Sequence, residues 1–293
     1  MTLILAAITR GYAVVASDRR ITVSETTSSG QRILSQDDSD TKTVLLDRKY
    51  SMGYAGLGRI RHCDETGEVR FRQRMEAWLL DALSGAGETG DYFQILAERC
   101  GELFSRQKFV FPHMFLAAGY ASVGSRGATD AELVMITNSR RRPHTFNITH
   151  TPLGDEKFLL RHVGESLTVQ QSRRLKRALS SSVKRRPRQP LSVVDDFVSV
   201  MREVAKASEG RVGETFLVTT FPRTAVPLDG AFDVWLAPSP AAYMENQISM
   251  TYGDPAAGAE SVFHPAVVTR EFVAGGMGPG QGPLEGMNFG GEL

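Results

Sequence analysis

T-L-I-L-A-A-I-T-R-G-Y-A-V-V-A-S-D, residues 2–18, contains two apolar runs separated only by Arg10-Gly11. A two-residue break with glycine between such runs predicts a β-hairpin, with strands at 3–9 and 12–17. If the first strand begins directly after Thr2, that residue is pinned in a sheet and cannot fray. The stretch therefore places the start of the chain inside the fold.

Thr2 follows a methionine that cells normally remove, because threonine is small enough for methionine aminopeptidase. The mature chain would then carry a hydroxyl and a free α-amine on one residue. A threonine hydroxyl needs an adjacent base to become a nucleophile, and a terminal amine can be that base. An unperturbed α-amine titrates at about pH 7.7–8.0, so much of it is free near neutrality. On the dipeptide alone, an inert N-terminus is the more frequent outcome.

The composition is that of a globular protein. Its 293 residues, 41% hydrophobic with a net charge of +1, suit one large domain or one domain with an extension. A charge near zero gives no general attraction to nucleic acid or to anionic membranes. The two cysteines, Cys63 and Cys100, have no metal or redox spacing. No apolar run approaches the ~20 residues that span a bilayer, so we expect a soluble, cytoplasmic protein.

The rest of the chain alternates between strand and helix patterns up to about residue 237. The polar segment 22–41 suggests a loop or a loosely paired excursion. Helices are predicted at 68–83, 91–107, 165–180 and 191–208. Strands are predicted at 43–47, 50–55, 113–119, 131–137, 144–149, 157–162, 214–221 and 231–237. We therefore expect one domain at 1–238 and a flexible Gly/Pro-rich extension at 239–293.

This order of elements predicts an α+β protein in which two sheets carry helices on their outer sides. Three segments resemble the mature start of a proteasome β-type subunit: residues 2–20, Lys42-Thr43-Val44 and Gly53-Tyr54-Ala55-Gly56. The spacings from Thr2 to Asp18 and from Lys42 to Gly56 agree with that family. The resemblance is specific through about residue 60 and topological to about 237. It implies the four-layer αββα sandwich of the N-terminal nucleophile (Ntn) hydrolases.

The resemblance also implies a catalytic constellation around Thr2. A Lys42 cation near Thr2 would disfavour protonation of the α-amine and stabilise a developing alkoxide. Asp18 would pair with Lys42 and aim it. Gly56, without a Cβ, would let its N–H approach a substrate carbonyl as an oxyanion donor. Each residue alone has a plain structural explanation, but their joint spacing favours a site.

Other family positions match less well. Ser166, in Gly164-Glu165-Ser166, is a candidate to support the amine or to begin a helix. Glu209 would stand in for an aspartate, and Val212 replaces a serine before the matching Gly213. A similar Val-Gly is typical of bacterial ancestral β subunits (Anbu), so the chain is closest in character to that branch. The replacement puts full peptidase activity in doubt.

Tyr54 lies where the family lines its substrate pocket. Its ring would narrow that pocket, line it with a hydroxyl, or pack into the sheet interior.

Two further clusters have ordinary explanations. The positive patch at 173–188 lacks interleaved aromatic residues, which favours a solvated surface over nucleic-acid binding. The histidines on or near strands lack metal-ligand spacing, so no metal and no other cofactor is expected: these are His113, His144, His150 and His162.

The sequence thus predicts a threonine-type peptidase or amidase that acts on a peptide or protein. The family implies a homo-oligomer in rings or helical stacks, and the sequence does not show whether an ATPase feeds it. The alternative is a catalytically silent subunit that acts in assembly or partner binding. Val212 and the extension favour that alternative, while Thr2, Asp18 and Lys42 oppose it.

Overall fold

In a computed structural model, the chain is an α+β protein whose sheets are almost entirely antiparallel. The structure describes residues 2–27, 30–37, 42–46, 49–63, 66, 69–84, 86, 91–123, 128–187 and 191–222. It also describes the short segments 248–252, 266–268, 273–274 and 287–288. The α+β class agrees with the sequence prediction.

The first sheet has the chain's opening strand in its interior. Its order is β12-β1-β2-β13-β14, and each neighbouring pair is antiparallel. All residues of β1 and β2 are buried, which explains why both strands are continuous apolar runs. The strands are β1 (Leu3–Thr9), β2 (Tyr12–Asp18), β12 (Phe158–Gly164), β13 (Phe216–Pro222) and β14 (Ile248–Tyr252).

The second sheet has eight strands in the order β11-β10-β9-β6-β5-β15-β16-β17. Strand β15 joins β5 in parallel, and the other pairs are antiparallel. The strands are β5 (Thr43–Leu46), β6 (Tyr50–Ala55), β9 (Met114–Val123), β10 (Ala128–Ser139), β11 (Arg142–Pro152), β15 (Ala266–Val268), β16 (Val273–Ala274) and β17 (Met287–Asn288).

Two hairpins decide what the sequence left open or mispredicted. Strands β3 (Ile21–Thr27) and β4 (Gly30–Asp37) pair in the segment for which a loop or a loosely paired excursion was expected, which agrees with the second alternative. Strands β7 (Arg59–Cys63) and β8 (Val69–Arg74) form another two-stranded sheet. The predicted helix at 68–83 is therefore wrong over its first part, because its apolar spacing of 3.6 residues starts only at Met75.

In the described part of the chain, four helices cover the outer sides of the sheets: α1 (Met75–Leu83), α2 (Tyr92–Arg106), α3 (Val169–Arg185) and α4 (Leu191–Ala207). Helix α2 begins where the Asp91 side chain accepts a hydrogen bond from the Gln94 backbone. Helix α3 begins with a capping box between Thr168 and Gln171. These caps explain why the helices start later than apolar spacing alone suggests.

Apolar side chains fill three layers of contact. Inward residues of β1 and β2, such as Ile4 and Val15, pack against Ala55, Leu116 and Leu133 of the second sheet. The other face of β1 and β2 packs against α3 and α4. The outer face of β5 and β6 packs against α1 and α2. Each central strand is thus covered on both faces.

The boundary predicted between residues 238 and 239 lies outside the described residues, as does the strand predicted at 231–237. Strands β14, β15, β16 and β17 come from the predicted extension and add to both sheets. Among the described helices, none is long and apolar enough to cross a membrane.

Candidate active site

Thr2 lies at the open end of β1, next to strand β12. It is 8% exposed, and its carbonyl oxygen accepts a hydrogen bond from the Glu165 backbone N–H at 2.8 Å. A Cβ at Gly164, where φ is +91°, would overlap that carbonyl. Glycine at 164 therefore allows β12 to approach Thr2 closely and to fix its backbone.

Lys42 reaches Thr2 from the second sheet, where it directly precedes β5. Its ammonium donates to Thr2 Oγ1 at 2.8 Å, to Asp18 Oδ2 at 3.1 Å, and to the carbonyl of Arg20. The residue is 1% exposed. An ammonium has three N–H donors, and these three acceptors hold it in one orientation toward the Thr2 hydroxyl.

Asp18 fixes that lysine and the start of β1 together. The carboxylate is fully buried; Oδ1 accepts from the Leu3 N–H at 2.9 Å and Oδ2 from the Gly213 N–H at 3.2 Å. Since both oxygens are satisfied and the counter-ion is in contact, the buried charge is compensated. Asp18 thus ties Lys42, β1 and the segment before β13 into one unit.

A buried hydroxyl pair supports the same unit. Ser17 and Thr43, the neighbours of Asp18 and Lys42, share a hydrogen bond of 2.9 Å between their side-chain oxygens. This bond joins β2 of one sheet to β5 of the other. It therefore holds the aspartate and the lysine at a fixed separation across the sheets.

Gly56 forms the turn after β6 with φ at +120°. A Cβ at this position would lie 2.6 Å from His113 Nδ1 and 2.9 Å from the Pro112 carbonyl oxygen. Any other residue would meet both the strained φ and these atoms. Glycine is therefore required at position 56, because the segment before β9 lies too close for a Cβ.

The buried side chain of His113 holds that turn by a hydrogen bond. Its Nδ1 accepts a hydrogen bond from the Leu57 N–H at 2.9 Å, so the neutral ring carries its proton on Nε2. Full burial lowers the pKa of His113 to about 3, which keeps the ring neutral. Its own backbone is fixed by Asn138, whose Oδ1 accepts the His113 N–H at 2.6 Å. The loop carrying Gly56 is thus braced by a buried, uncharged acceptor.

A cleft of about 320 Å³ opens at these residues. Tyr54 lines it with its ring 6.2 Å from that of His113, and also belongs to the core beneath α1 and α2. The sequence offered pocket wall and sheet interior as alternatives for Tyr54; its position combines them. The cleft wall includes Thr2, Arg20, Lys42, Gly56, Met114 and Gly164.

Two of the candidate site residues lie elsewhere. Ser166 is exposed between β12 and α3, and Thr168, not Ser166, caps the helix. No described contact supports either role predicted for Ser166, which were support of the amine and the start of the helix. Glu209 is exposed after α4 with φ at +52°. Neither residue lines the cleft. Val212 is buried, and its N–H donates to Ser208 Oγ at 2.9 Å.

Glu165 is the residue beside Thr2 that sequence reasoning missed. Its Oε1 lies 3.7 Å from Arg211 Nη2, while its Oε2 is buried and has no hydrogen-bond partner among the described residues. The sequence signal is the segment Gly164-Glu165-Ser166, in which the prediction names Ser166 for its hydroxyl, whereas Glu165 is the residue bonded to Thr2. The residue that contacts the Thr2 backbone therefore carries a carboxylate and not a hydroxyl.

The positive patch and the remaining histidines lie away from the cleft. On α3, Arg173, Lys176 and Arg177 are exposed, while Arg174 pairs with Asp196 and Glu203. His144 and His162 are exposed, and His150 contacts Glu132 at 2.9 Å. Within the described ranges, no group of three or more His, Cys, Asp or Glu residues is placed to hold a metal ion.

Comparison with known proteins gives little direct information. No protein-family model and no curated protein matches the chain. Among solved structures, it is similar to Anbu (ancestral beta-subunit) from Yersinia bercovieri, with 14% identity and a TM-score of 0.40. The match covers 75% of this chain and 81% of that one. A similarity this distant carries no argument about activity, which must be inferred from the site itself.

Proposed function

We propose that the chain is a threonine-type Ntn-hydrolase that cleaves a peptide or amide bond through Thr2. The observation that carries this proposal is the 2.8 Å hydrogen bond from Lys42 Nζ to Thr2 Oγ1. A buried ammonium aimed at a hydroxyl oxygen stabilises the negative charge that develops there during nucleophilic attack. Thr2 also borders the cleft, so a substrate carbonyl can reach it.

The first half of the reaction forms an acyl-enzyme. After removal of Met1, the α-amine of Thr2 takes the hydroxyl proton as Oγ1 attacks the carbonyl carbon. The carbonyl oxygen becomes an oxyanion, which the Gly56 N–H at the cleft wall stabilises. The C–N bond then breaks, and the ammonium of Thr2 returns its proton to the leaving amine.

The second half releases the acyl group. Water attacks the carbonyl carbon of the ester that Oγ1 carries, and the α-amine takes a proton from that water. The C–O bond to Thr2 then breaks, the ammonium returns its proton to Oγ1, and the carboxylic acid is released. Lys42 keeps its orientation toward Oγ1 through both halves because Asp18 and the Arg20 carbonyl accept its other two hydrogen bonds. No cofactor is required by this sequence of steps.

The same proposal assigns the fold to the αββα sandwich of the Ntn-hydrolases. Three packing layers support it: α3 and α4 on the first sheet, the contact between the sheets, and α1 and α2 on the second sheet. In this arrangement the cleft opens where β1 and β2 face β5 and β6. A homo-oligomeric assembly and a cytoplasmic location belong to the proposal, and light scattering of the purified chain tests the assembly.

Intact-mass spectrometry with a peptide epoxyketone tests the proposal. We expect purified protein to lack Met1 and to gain the mass of one probe, and we expect Thr2→Ala to gain none. Thr2→Ser, which keeps a hydroxyl nucleophile, is the matched control and should still be labelled. A protein that retains Met1, or one whose labelling survives Thr2→Ala, would refute the nucleophile.

The second candidate is a silent subunit that acts in assembly or partner binding. It is favoured by the exposure of Ser166 and Glu209 and by Val212 in place of a serine. This candidate predicts an unlabelled Thr2 with an intact oligomer. The labelling experiment therefore separates the two candidates directly.

A further inference from the structure

The hairpin β7–β8 stands at the rim of the cleft. Gly58 lines the cleft and directly precedes β7. Met75, directly after β8, donates its N–H to the Gly58 carbonyl at 2.9 Å. Both ends of the hairpin are thus fastened at one point of the cleft wall, and the strands project from there.

One face of this hairpin carries two rungs of opposed arginines. Arg59 lies opposite Arg74, and Arg61 lies opposite Arg72. Residues two apart in a strand point to the same side, so both rungs share a face. The other face anchors the hairpin, because Ile60 is fully buried in the core beneath α1. The outer rung, Arg61 and Arg72, is exposed, whereas the inner rung, Arg59 and Arg74, is half-buried.

The outer rung has no charge partner within the described part of the chain. Arg61 and Arg72 are exposed, and neither makes a described ion pair. Like charges placed directly across a strand pair are destabilising. A carboxylate between two guanidinium groups would relieve the repulsion and accept hydrogen bonds from both.

The cleft beside the hairpin does not oppose this charge. Its described wall contains Arg20 and no carboxylate, and Lys42 on that wall is paired with Asp18 behind it. A positive rim beside such a cleft attracts negatively charged chains and slows positive ones.

We propose that the outer arginine rung of β7–β8, Arg61 and Arg72, binds an acidic side chain of an extended substrate polypeptide near the scissile bond. The substrate class is therefore peptides with an Asp or Glu residue a few positions from the cleaved bond. The two opposed guanidinium groups can donate to one carboxylate from both sides. This inference rests on the proposed function for the bond that is cleaved, but the binding surface can be tested without cleavage.

The hairpin is less suited to single-stranded nucleic acid. The aromatic stack that it carries, His62 on Phe71 with ring centroids 4.2 Å apart, lies on the face opposite the arginines. Binding of single strands combines base stacking with phosphate contacts in one groove. Here the two would lie on different faces.

Fluorescence anisotropy with the Thr2→Ala chain tests the inference. The probes are two labelled peptides of equal length, one with alternating Glu and one with Gln at the same positions. We expect the Glu peptide to bind more tightly, with an affinity that falls as salt is raised. The double variant Arg61→Glu/Arg72→Glu should weaken its binding by about tenfold. Arg185→Glu/Arg186→Glu at the end of α3 makes the same change of net charge and should have little effect.

Equal losses in the two double variants, or equal binding of the two peptides, would overturn the proposal. So would tighter binding of a single-stranded oligonucleotide that the hairpin variant abolishes. If charge reversal prevents folding, Arg61→Gln/Arg72→Gln gives the same comparison, and unchanged binding of the Glu peptide would again refute it. Because Thr2 is absent from every arm, failure here leaves the hydrolase proposal standing, and failure of probe labelling leaves this binding result unaffected.

Discussion

His113 Nδ1 accepts the backbone N–H of Leu57 at 2.9 Å, one residue after the glycine proposed to hold the oxyanion. The bond removes Leu57 from the set of donors that face the cleft and fixes the direction of the turn. His113 is fully buried, so the brace is shielded from water. Catalysis at Thr2 should therefore depend on a residue that never meets the substrate.

Two substitutions of His113 distinguish the role of its hydrogen-bond acceptor from the role of its ring. His113→Phe keeps a ring but offers no acceptor, so the buried Leu57 N–H loses its partner at a cost of about 1–3 kcal/mol. His113→Asn places Oδ1 close to the former Nδ1 position and keeps an acceptor. We expect the Phe variant to be labelled at Thr2 about tenfold or more slowly than the Asn variant, because small misplacement costs rate. Mass spectrometry of samples quenched at set times measures both labelling rates. Equal rates would show that labelling of Thr2 does not depend on the acceptor at position 113.

Loss of the Lys42 charge should leave Thr2 in place but poorly reactive. Lys42→Met keeps most of the buried side-chain volume and removes the donor that lies 2.8 Å from Oγ1. Removal of one electrostatic stabiliser of this kind costs about 10²–10³ in rate. Probe labelling and amide hydrolysis should both fall to that extent. Lys184→Met, an exposed change on α3, is the control and should behave as wild type; an unaffected Lys42→Met would show that amine and hydroxyl need no cation.

Stability should decline with acid below about pH 6.5 because of His113. Its pKa is about 3 in the folded chain, against 6.5 for an unperturbed histidine. The unfolded chain therefore binds a proton in this window that the folded chain does not, and stability is lost as pH falls. The slope from this group is about 1.4 kcal/mol per pH unit. Urea unfolding at several pH values should show a shallower decline for His113→Asn; parallel curves for the two proteins would contradict the assignment.

Glu165 should tune the α-amine of mature Thr2. Its backbone is bonded to Thr2, and a buried carboxylate oxygen lacks a described partner there. The charged residues on the cleft wall, or in contact with Thr2 or with those residues, are Lys42, Arg20, Asp18, Glu165 and Arg211. Of these, only the two carboxylates favour an ammonium, and Asp18 is already bonded to Lys42. Glu165→Gln should lower the pKa of the α-amine. The pH profile of probe labelling should then move to lower pH, whereas Ser166→Ala should leave it in place; an unmoved profile in Glu165→Gln would rule this role out.

The strands that bury both faces were predictable to within a residue. Strands β1 and β2 are continuous apolar runs bounded by turns, and β5 and β6 are short, fully buried strands joined by a turn. The pair β3–β4 could be predicted only as a loop or a loosely paired excursion, because its polar residues give no clear strand pattern. The pair β7–β8 was missed because the apolar spacing of α1 was extended back over arginine-rich residues.

The residues of the site also fall into two groups, those that local sequence predicts and those that it does not. Thr2, Asp18, Lys42 and Gly56 lie close together because each ends or begins a predictable strand, so their spacing carries information. Glu165 and His113 act through contacts between segments far apart in the chain, and no local pattern marks them. Their roles depend on the register of β12 against β1 and on the approach of the segment before β9.

The interior position of β1 also constrains how the chain folds. Residues Leu3–Ile8 are all fully buried, and one of their two partner strands, β12, comes late in the sequence. The hairpin with β2 can close early, but the other edge of this apolar strand stays unpaired until β12 is in place. Such non-local pairing slows folding and leaves an unpaired, aggregation-prone strand edge until β12 pairs with β1. Refolding yield should therefore fall as protein concentration rises. Thr2, the proposed nucleophile, takes its position only when β12 has paired with β1.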